Sequence, residues 1–400
     1  MNSKPSLNIL INGWYGQLNA GDDAILEVFA EQMAARFDTH ITVLSEMPEN
    51  IPGTPRMRGV FHPVLLGRGM LSQIANGNAW RHLREIRKAD LVVVGGGGIL
   101  RDNTNWRNLL RLLDEIWLAR LFGRKTMLYA IGVGPFKSRL GKWAIAATVR
   151  RCDLVTVRSE RCAELLREIG VDSDRIHVVA DPAFLLAPQA PADQELTTLF
   201  SSGKRKVGFY PTFFIRRYPD CYARFAAALD HLVETENVEV VAVPMSILNG
   251  PGEDDVTTAR RVRAAMKHPE ALHLYEKQLS ASELKWATGQ ALFNITVRLH
   301  AMIFSLGNNV PAVPVNYEPK VPNVFRDFDA PEYLVALDEH LGTRLAETAR
   351  SCLHNLAAYT EQIRDRRARV TARSVRTFDL AQEMFNNTAQ DTSRAKRQNG

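Results

Sequence analysis

The sequence predicts an α/β protein, two Rossmann-like domains in tandem facing a cleft. Three observations predict it. Short β-branched runs alternate with longer segments of helical period along most of the chain, the pattern of parallel sheets with crossover helices. Several runs, such as Val92-Val93-Val94, are apolar without a break, as strands covered on both faces are. The runs also end in glycine or polar turns that open helices, and ligands of such sheets sit beyond the carboxyl ends of the strands.

Taken in order, the first half offers strands at Leu7–Asn12, Ile41–Leu44, Ala89–Val94, Thr126–Ile131, Leu154–Val157 and Ile176–Ala180. Helical period appears between them at Asp22–Arg36, Ser72–Lys88, Trp106–Leu121 and Glu160–Ile169. After Leu186 the composition changes to APQAPADQELTTLFSSGKRK, without a clear period, which sets a domain boundary. The theme then restarts with strands at Val207–Tyr210, Val238–Pro244, Leu272–Tyr275, Ala291–Ile295 and Ala312–Asn316, and helices at Cys221–Glu234, Val256–Met266 and Glu283–Thr288. The expected layout is an N-terminal domain over 1–187, a linker over 188–204, a C-terminal domain over 205–345, a helical segment over 346–388 and a disordered polar tail over 389–400.

With 400 residues, 46% hydrophobic and 24% charged, the chain can bury more core than one domain of usual size needs. Lys and Arg exceed Asp and Glu by 50 to 44, a surplus too small to indicate nucleic acid as a partner. It suits an anionic small substrate, and it permits peripheral contact with an anionic membrane. No stretch has the length and apolarity of a membrane span, and the N-terminus lacks the long apolar region of a secretory signal. Cys152, Cys162, Cys221 and Cys352 show no metal-ligand spacing and are expected to be reduced. The expected location is therefore the cytoplasm, with no metal.

Four stretches are candidates for chemistry. The first strand runs into Gly13-Trp14-Tyr15-Gly16-Gln17-Leu18-Asn19-Ala20-Gly21-Asp22, where Asp22 stands as a helix N-cap. That loop is either a plain connection or a ligand loop, with Gly16, Asn19 and Asp22 facing an anion or a sugar. Gly95, Gly96, Gly97 and Gly98 follow a buried strand, and four glycines cost backbone entropy that a close backbone-to-ligand approach would justify. Asp102 just beyond could bond or deprotonate a sugar hydroxyl, or be a solvated loop carboxylate. Arg158, after the apolar Val155-Thr156-Val157, brings a guanidinium fork to the same sheet edge.

The second half holds the most informative stretch, Thr296-Val297-Arg298-Leu299-His300-Ala301 followed by an apolar helix-like run. If Arg298 to His300 is extended, both polar side chains lie on one side with Leu299 toward the core. The helix end beyond adds positive character, so the stretch reads as an anion site containing a titratable group. Tyr317 and Lys320 follow a further strand, Lys320 as a third cation.

Together, GWYGQLNAGDDAIL, VVVGGGGILRD, YAIGVGP, VVADPAF and RLHAMIFSLGNNVPAVPVNYEPKV resemble the polysaccharide pyruvyl transferase family in order and spacing, over about residues 8 to 325. The resemblance implies a GT-B-like fold, phosphoenolpyruvate as donor substrate with no further cofactor, and a hydroxyl pair of a sugar as acceptor, on a cell-surface or exopolysaccharide precursor or a lipid-linked oligosaccharide. It implies that Arg298 and His300 contact the donor, helped by Arg158. The expected catalytic set is then His300, Arg298 and Asp102. His300 protonates the donor or binds its phosphate, Arg298, Arg158 and Lys320 neutralise carboxylate and phosphate, and Asp102 or Asp22 accepts the acceptor's proton. Two other functions fit the same pattern: a GT-B-type glycosyltransferase using a nucleotide sugar, and a catalytically silent glycan-binding relative.

Overall fold

A computed structural model of the chain describes residues 4–63, 70–102, 106–201, 203–218, 220–247 and 254–398. Its contacts divide the chain into two compact units: Met1–Gln17, Ile25–Pro182 and Ala372–Gly400 form the first, and Leu18–Ala24 and Ala183–Thr371 the second.

The first unit carries β1 (Ser6–Asn12), α1 (Ala20–Arg36, whose start belongs to the second unit), β2 (Asp38–Ser45), β3 (Met57–Phe61), α2 (Met70–Ala75), α3 (Asn78–Lys88), β4 (Leu91–Leu100), α4 (Trp106–Leu121), β5 (Lys125–Val133), α5 (Arg139–Val149), β6 (Leu154–Val157), α6 (Glu160–Glu168) and β7 (Ile176–Val178). Its strands pair in parallel in the order β3-β2-β1-β4-β5-β6-β7. The order reverses at β1 and β4, the switch point at which such sheets bind ligands. One core lies under α4, α5 and α6, where Leu112, Ile116, Ile145 and Leu166 meet Val94, Ile131 and Val155. Elsewhere in the unit Phe29 of α1 sets its ring edge-on to Tyr129 at 4.9 Å, and Phe378 joins both rings. Both faces are thus covered, which is why β4 and β5 read as unbroken apolar runs.

The second unit carries α7 (Gln194–Ser201), β8 (Arg205–Tyr210), α8 (Cys221–Glu236), β9 (Val238–Ala242), α9 (Asp255–Ala265), β10 (Leu272–Leu274), α10 (Ala281–Thr288), β11 (Asn294–Thr296), α11 (Leu299–Gly307), β12 (Ala312–Asn316), α12 (Lys320–Phe325), β13 (Val335–Ala336) and α13 (Leu341–His354). The sheet is parallel again, in the order β10-β9-β8-β11-β12-β13. The last helix, α14 (Leu356–Gln398), contributes to both units, with Ala372 the first residue that belongs to the first. Its Tyr359 stacks on Tyr333 at 4.0 Å and donates to the Ala312 carbonyl.

The structure departs from the sequence reading at several places. Helix α7 occupies part of the stretch read as linker, and the α14 backbone stays helical to Gln398, through residues expected to lack order. Strand β3 and helix α5 have no counterpart in that reading. β3 is an edge strand that buries only Val60, so it has no alternating pattern to read. The four glycines are not a loop after β4 but part of it, the ladder to β5 shifting register between Gly97 and Leu100.

Candidate functional site

The second unit gathers one polar constellation at the carboxyl ends of β11 and β12. Arg298 is the residue before α11, its backbone extended, and the helix begins at Leu299. Alternation along a strand therefore does not place His300; the first turn of α11 does. Arg298 donates through Nε and Nη2 to the two oxygens of Asp255, at 3.0 and 2.7 Å. Asp255, fully buried at the start of α9, also accepts from the backbone N–H groups of Phe213, Met245 and Ser246. Burial pushes the Asp255 carboxyl up, and the guanidinium and N–H donors oppose it. Burial also works against the charge of Arg298, but Asp255 outweighs it, so the guanidinium is held cationic.

Aromatic rings frame that cation. The guanidinium lies over Phe213 and Phe214, at 5.5 and 5.8 Å from the ring centres. Phe214 stacks on Tyr317 at 6.1 Å, and the Lys320 ammonium sits 5.5 Å from the Tyr317 ring while pairing with Glu318. Lys320 opens the short helix α12 instead of lying in a loop.

His300 lies against the segment Leu18–Ala24. A Cβ on Gly21 would overlap its imidazole, so glycine is the residue that lets the ring sit there. The Ala20 N–H donates to the Met245 carbonyl, and the charge of Asp22 reaches Arg298. Asp22 is not the cap expected from sequence: α1 starts at Ala20, Asn19 precedes it, and the Asn19 amide donates to the Asp22 carboxylate. Asn19, Asp22, His300, Arg298, Tyr317 and Lys320 thus belong to one unit.

In the first unit the remaining candidates have structural duties. Gly95, Gly96 and Gly97 have φ of +150°, +74° and +106°, which an L side chain rarely adopts. A Cβ on Gly96 would meet the Tyr15 hydroxyl at 2.5 Å, and one on Gly95 would overlap the Tyr129 backbone. Packing and backbone conformation therefore already require glycine at these two positions. Gly16, at φ +71°, shapes a turn tied down by Asn50, whose amide donates to the Gly16 carbonyl.

Arg158 stands at the end of β6, as expected, but is buried and paired with buried Asp181 at 3.1 Å. Its guanidinium lies 3.2 Å from where a Gly98 Cβ would be and 2.8 Å from a Gly132 Cβ, so both glycines make room for it. Asp102 accepts from the Ser138 N–H and hydroxyl and the Lys137 N–H, joining the exit of β4 to the entry of α5. Burial is the largest single influence and raises its pKa, but the donors together outweigh it and hold the carboxyl below its usual value. The structure thus gives Asp102 a loop-bracing duty, and a carboxyl held below its usual value is a weak base.

Sequence reading missed a buried polar cluster. His62 after β3, His82 of α3 and Glu115 of α4 bring Nε2, Nε2 and Oε1 together, with Glu115 2.9 Å from His62 and 3.0 Å from His82. Two imidazoles and a carboxylate are a donor set that zinc uses. Here, however, Arg111 donates Nη2 to His62 Nδ1 at 3.0 Å and also pairs with Glu46. A guanidinium only donates, so Nδ1 accepts, the proton sits on Nε2, and His62 spends that nitrogen on Glu115. In this arrangement the cluster is a buried charge network, His62 hydrogen-bonded to Arg111 and Glu115, and His82 paired with Glu115 at 3.0 Å. Its members come from three separate elements, and no local spacing announces it.

The chain belongs to the polysaccharide pyruvyl transferase family: the family's sequence model matches residues 19–319. Among solved structures it is similar to HepE of Anabaena, crystallised with UDP-glucose, at 12% identity over 96% of this chain and 100% of that one, with a TM-score of 0.63. It is also similar to the UDP-GlcNAc 2-epimerase of Neisseria meningitidis, bound to UDP-GlcNAc, at 10% identity over 95% and 99% of the two chains, with a TM-score of 0.62. A glycosyltransferase of Rickettsia africae matches at 11% identity over 97% and 98%, with a TM-score of 0.57. At such identities the likeness concerns the fold, two Rossmann-like domains of GT-B type.

Proposed function

We propose that the protein transfers pyruvate from phosphoenolpyruvate to a sugar of a polysaccharide precursor, forming a ketal. The observation that carries the reading is the second-unit constellation, in which Arg298 is locked by Asp255 beside His300 at the head of α11, within the span matched by the family. A fixed cation next to a titratable imidazole suits a donor that carries both carboxylate and phosphate.

Arg298 binds one anionic group of the donor, with Lys320 beside it, and Tyr317 and Phe214 wall the site. Arg158, paired with Asp181, has a lesser claim as a donor-binding residue. His300 gives its proton to the methylene carbon while a sugar hydroxyl oxygen bonds to the adjacent carbon and loses its proton to Asp22. The carbon–oxygen bond to phosphate then breaks, the phosphate leaving with the electron pair. The second sugar hydroxyl closes the ketal, its proton restoring His300, and the proton held by Asp22 leaves with phosphate. Asp22 replaces Asp102 as base because the charge of Asp22 reaches Arg298, whereas Asp102 serves a loop of the first unit. No step calls for a metal. The donor is a metabolite of the cytoplasm, which is where the protein works in this reading.

The test is a thermal-shift titration with phosphoenolpyruvate, UDP-sugars and GDP-sugars in parallel, on the parent and on Arg298→Lys, which keeps the charge but loses the fork. Ligand at a hundred times its Kd stabilises by about 2.7 kcal/mol, a shift of several degrees. Stabilisation by phosphoenolpyruvate that vanishes in Arg298→Lys supports the proposal. A response to nucleotide sugars alone replaces it with a glycosyltransferase, and binding of glycans without phosphate release replaces it with a silent relative.

A further inference from the structure

The first unit exposes apolar and charged side chains unevenly. The four most exposed large apolar side chains among the described residues are Leu121 (75%), Trp143 (67%), Trp80 (65%) and Leu140 (61%). All four lie on α3, α4 or α5, together with half-exposed Trp117. These helices form one layer, α3 packed on α4 and α4 on α5. Trp117 and Leu121 are four residues apart and Leu140 and Trp143 three, so each pair shares a helix face.

The charges on this layer have one sign. Among the described residues from Asn78 to Arg151, ten Lys or Arg are exposed and no Asp or Glu is. Two of the three acidic residues of these helices are spent inward or sideways, Glu115 on the buried histidines and Glu85 on Arg58, and the third, Asp114, is half-buried. Asp153, just beyond the layer, is spent on Arg120 and Thr126. Elsewhere the chain is close to balanced, with a formal net charge of +6 in all, so a face of this kind is not a sample of the average surface. Arg151 lies over the Trp117 ring at 4.4 Å, and Arg139 and Lys142 flank Leu140 and Trp143 in sequence.

We propose that the outer face of α3, α4 and α5 is a docking surface for a membrane rich in anionic lipid. Tryptophan rings and leucines enter the boundary between headgroups and acyl chains, while arginine and lysine stems lie along it with their charges among the phosphates. Charge complementarity selects the occupant: the face offers cations alone around its apolar side chains. A nucleic acid would use the cations and stack on the tryptophans, but it has no use for Leu121 and Leu140. Attachment needs no phosphoenolpyruvate, so the inference stands apart from the donor proposed above. It adds that the acceptor is met at a lipid surface.

The experiment is co-sedimentation of the full chain with phosphatidylcholine vesicles, with and without phosphatidylglycerol, at low and high salt. Two variants accompany it, Leu140→Ser with Trp143→Ser, and Arg139→Glu with Lys142→Glu, each checked for an unchanged thermal midpoint. Binding is expected to require phosphatidylglycerol, to fall with salt, and to weaken at least tenfold in each variant, with a blue shift of tryptophan fluorescence in the parent. No sedimentation with anionic vesicles, or sedimentation that both variants retain, overturns the proposal. So does binding to an oligonucleotide that matches or exceeds binding to vesicles, or a vesicle-independent dimer that both variants abolish, which would make the face an interface between copies of this chain.

Discussion

At the scale of single residues, Gly21 is the sharpest point in the molecule. Its missing side chain is where the His300 ring lies, so an alanine there must displace the imidazole while leaving every proposed ligand contact chemically present. Its φ is not in the left-handed region, and alanine suits a helix start at least as well as glycine. Gly21→Ala is therefore expected to lose turnover roughly as His300→Ala does, about a hundredfold for a general acid, with a small change in thermal midpoint. Steady-state kinetics of both variants and of the double variant check it. If both act through the same imidazole, the double variant is no worse than either single, whereas additive losses would show that Gly21 acts elsewhere. A second residue-scale prediction concerns Asp255. Asp255→Ala leaves the Arg298 guanidinium without its buried partner, and breaking a buried pair in this way costs about 3–5 kcal/mol. Urea denaturation should place Asp255→Ala well below Arg298→Lys.

At the scale of elements, β4 shows what a motif can and cannot say. The run Gly95 to Gly98 announces a special backbone, and the structure provides one, but the reasons differ from glycine to glycine. Gly96 combines φ +74° with a close Tyr15 hydroxyl and Ile25 methyl, so Gly96→Ala is strained on both counts and should lower stability by about 2 kcal/mol or more. Gly98 has no left-handed φ, and its nearest neighbour is the end of the Arg158 side chain. Gly98→Ala should leave the urea midpoint almost unchanged, and equal losses in the two variants would refute the distinction. The central strands β4, β5, β6 and β8 were legible in the sequence because they are buried on both faces, and an apolar run survives any register. Those it did not reveal, β3 and the two-residue β13, sit at sheet edges and bury too little to leave a pattern. Helix α5 escaped because its buried stretch, Ile145 to Val149, is β-branched at both ends and lacks polar spacing.

The Arg298 site was half legible for a related reason. The Arg-x-His spacing, and the switch from strand to helix after it, are local and readable. Asp255 lies 43 residues away on another helix, and the Gly21 contact comes from the far end of the sequence, so neither could be inferred from spacing. The same holds for the histidine and carboxylate network of the first unit.

At the scale of the whole molecule, buried ionisable groups set opposite trends with pH. Glu115 gains its charge stabilisation from His82 and His62 against the cost of burial, so its folded pKa lies below the usual range and its contribution is lost on acidification. Asp114, its neighbour, is pushed up to about 7, by burial first and by the Glu115 charge second. A carboxyl raised in the folded state holds a proton that the unfolded chain releases above about pH 4, so its contribution is present in acid and disappears as pH climbs through 7. Between pH 5 and 7 this one group removes on the order of 2 kcal/mol of stability. An asparagine side chain has the shape of the protonated carboxyl and does not titrate, so Asp114→Asn should be stabilising, and more so at pH 8 than at pH 5 by on the order of 2 kcal/mol. Urea midpoints at the two pH values decide: a difference between variant and parent that does not change with pH would mean that Asp114 is already ionised in the folded protein, held by His82 and Arg111 more strongly than its burial opposes.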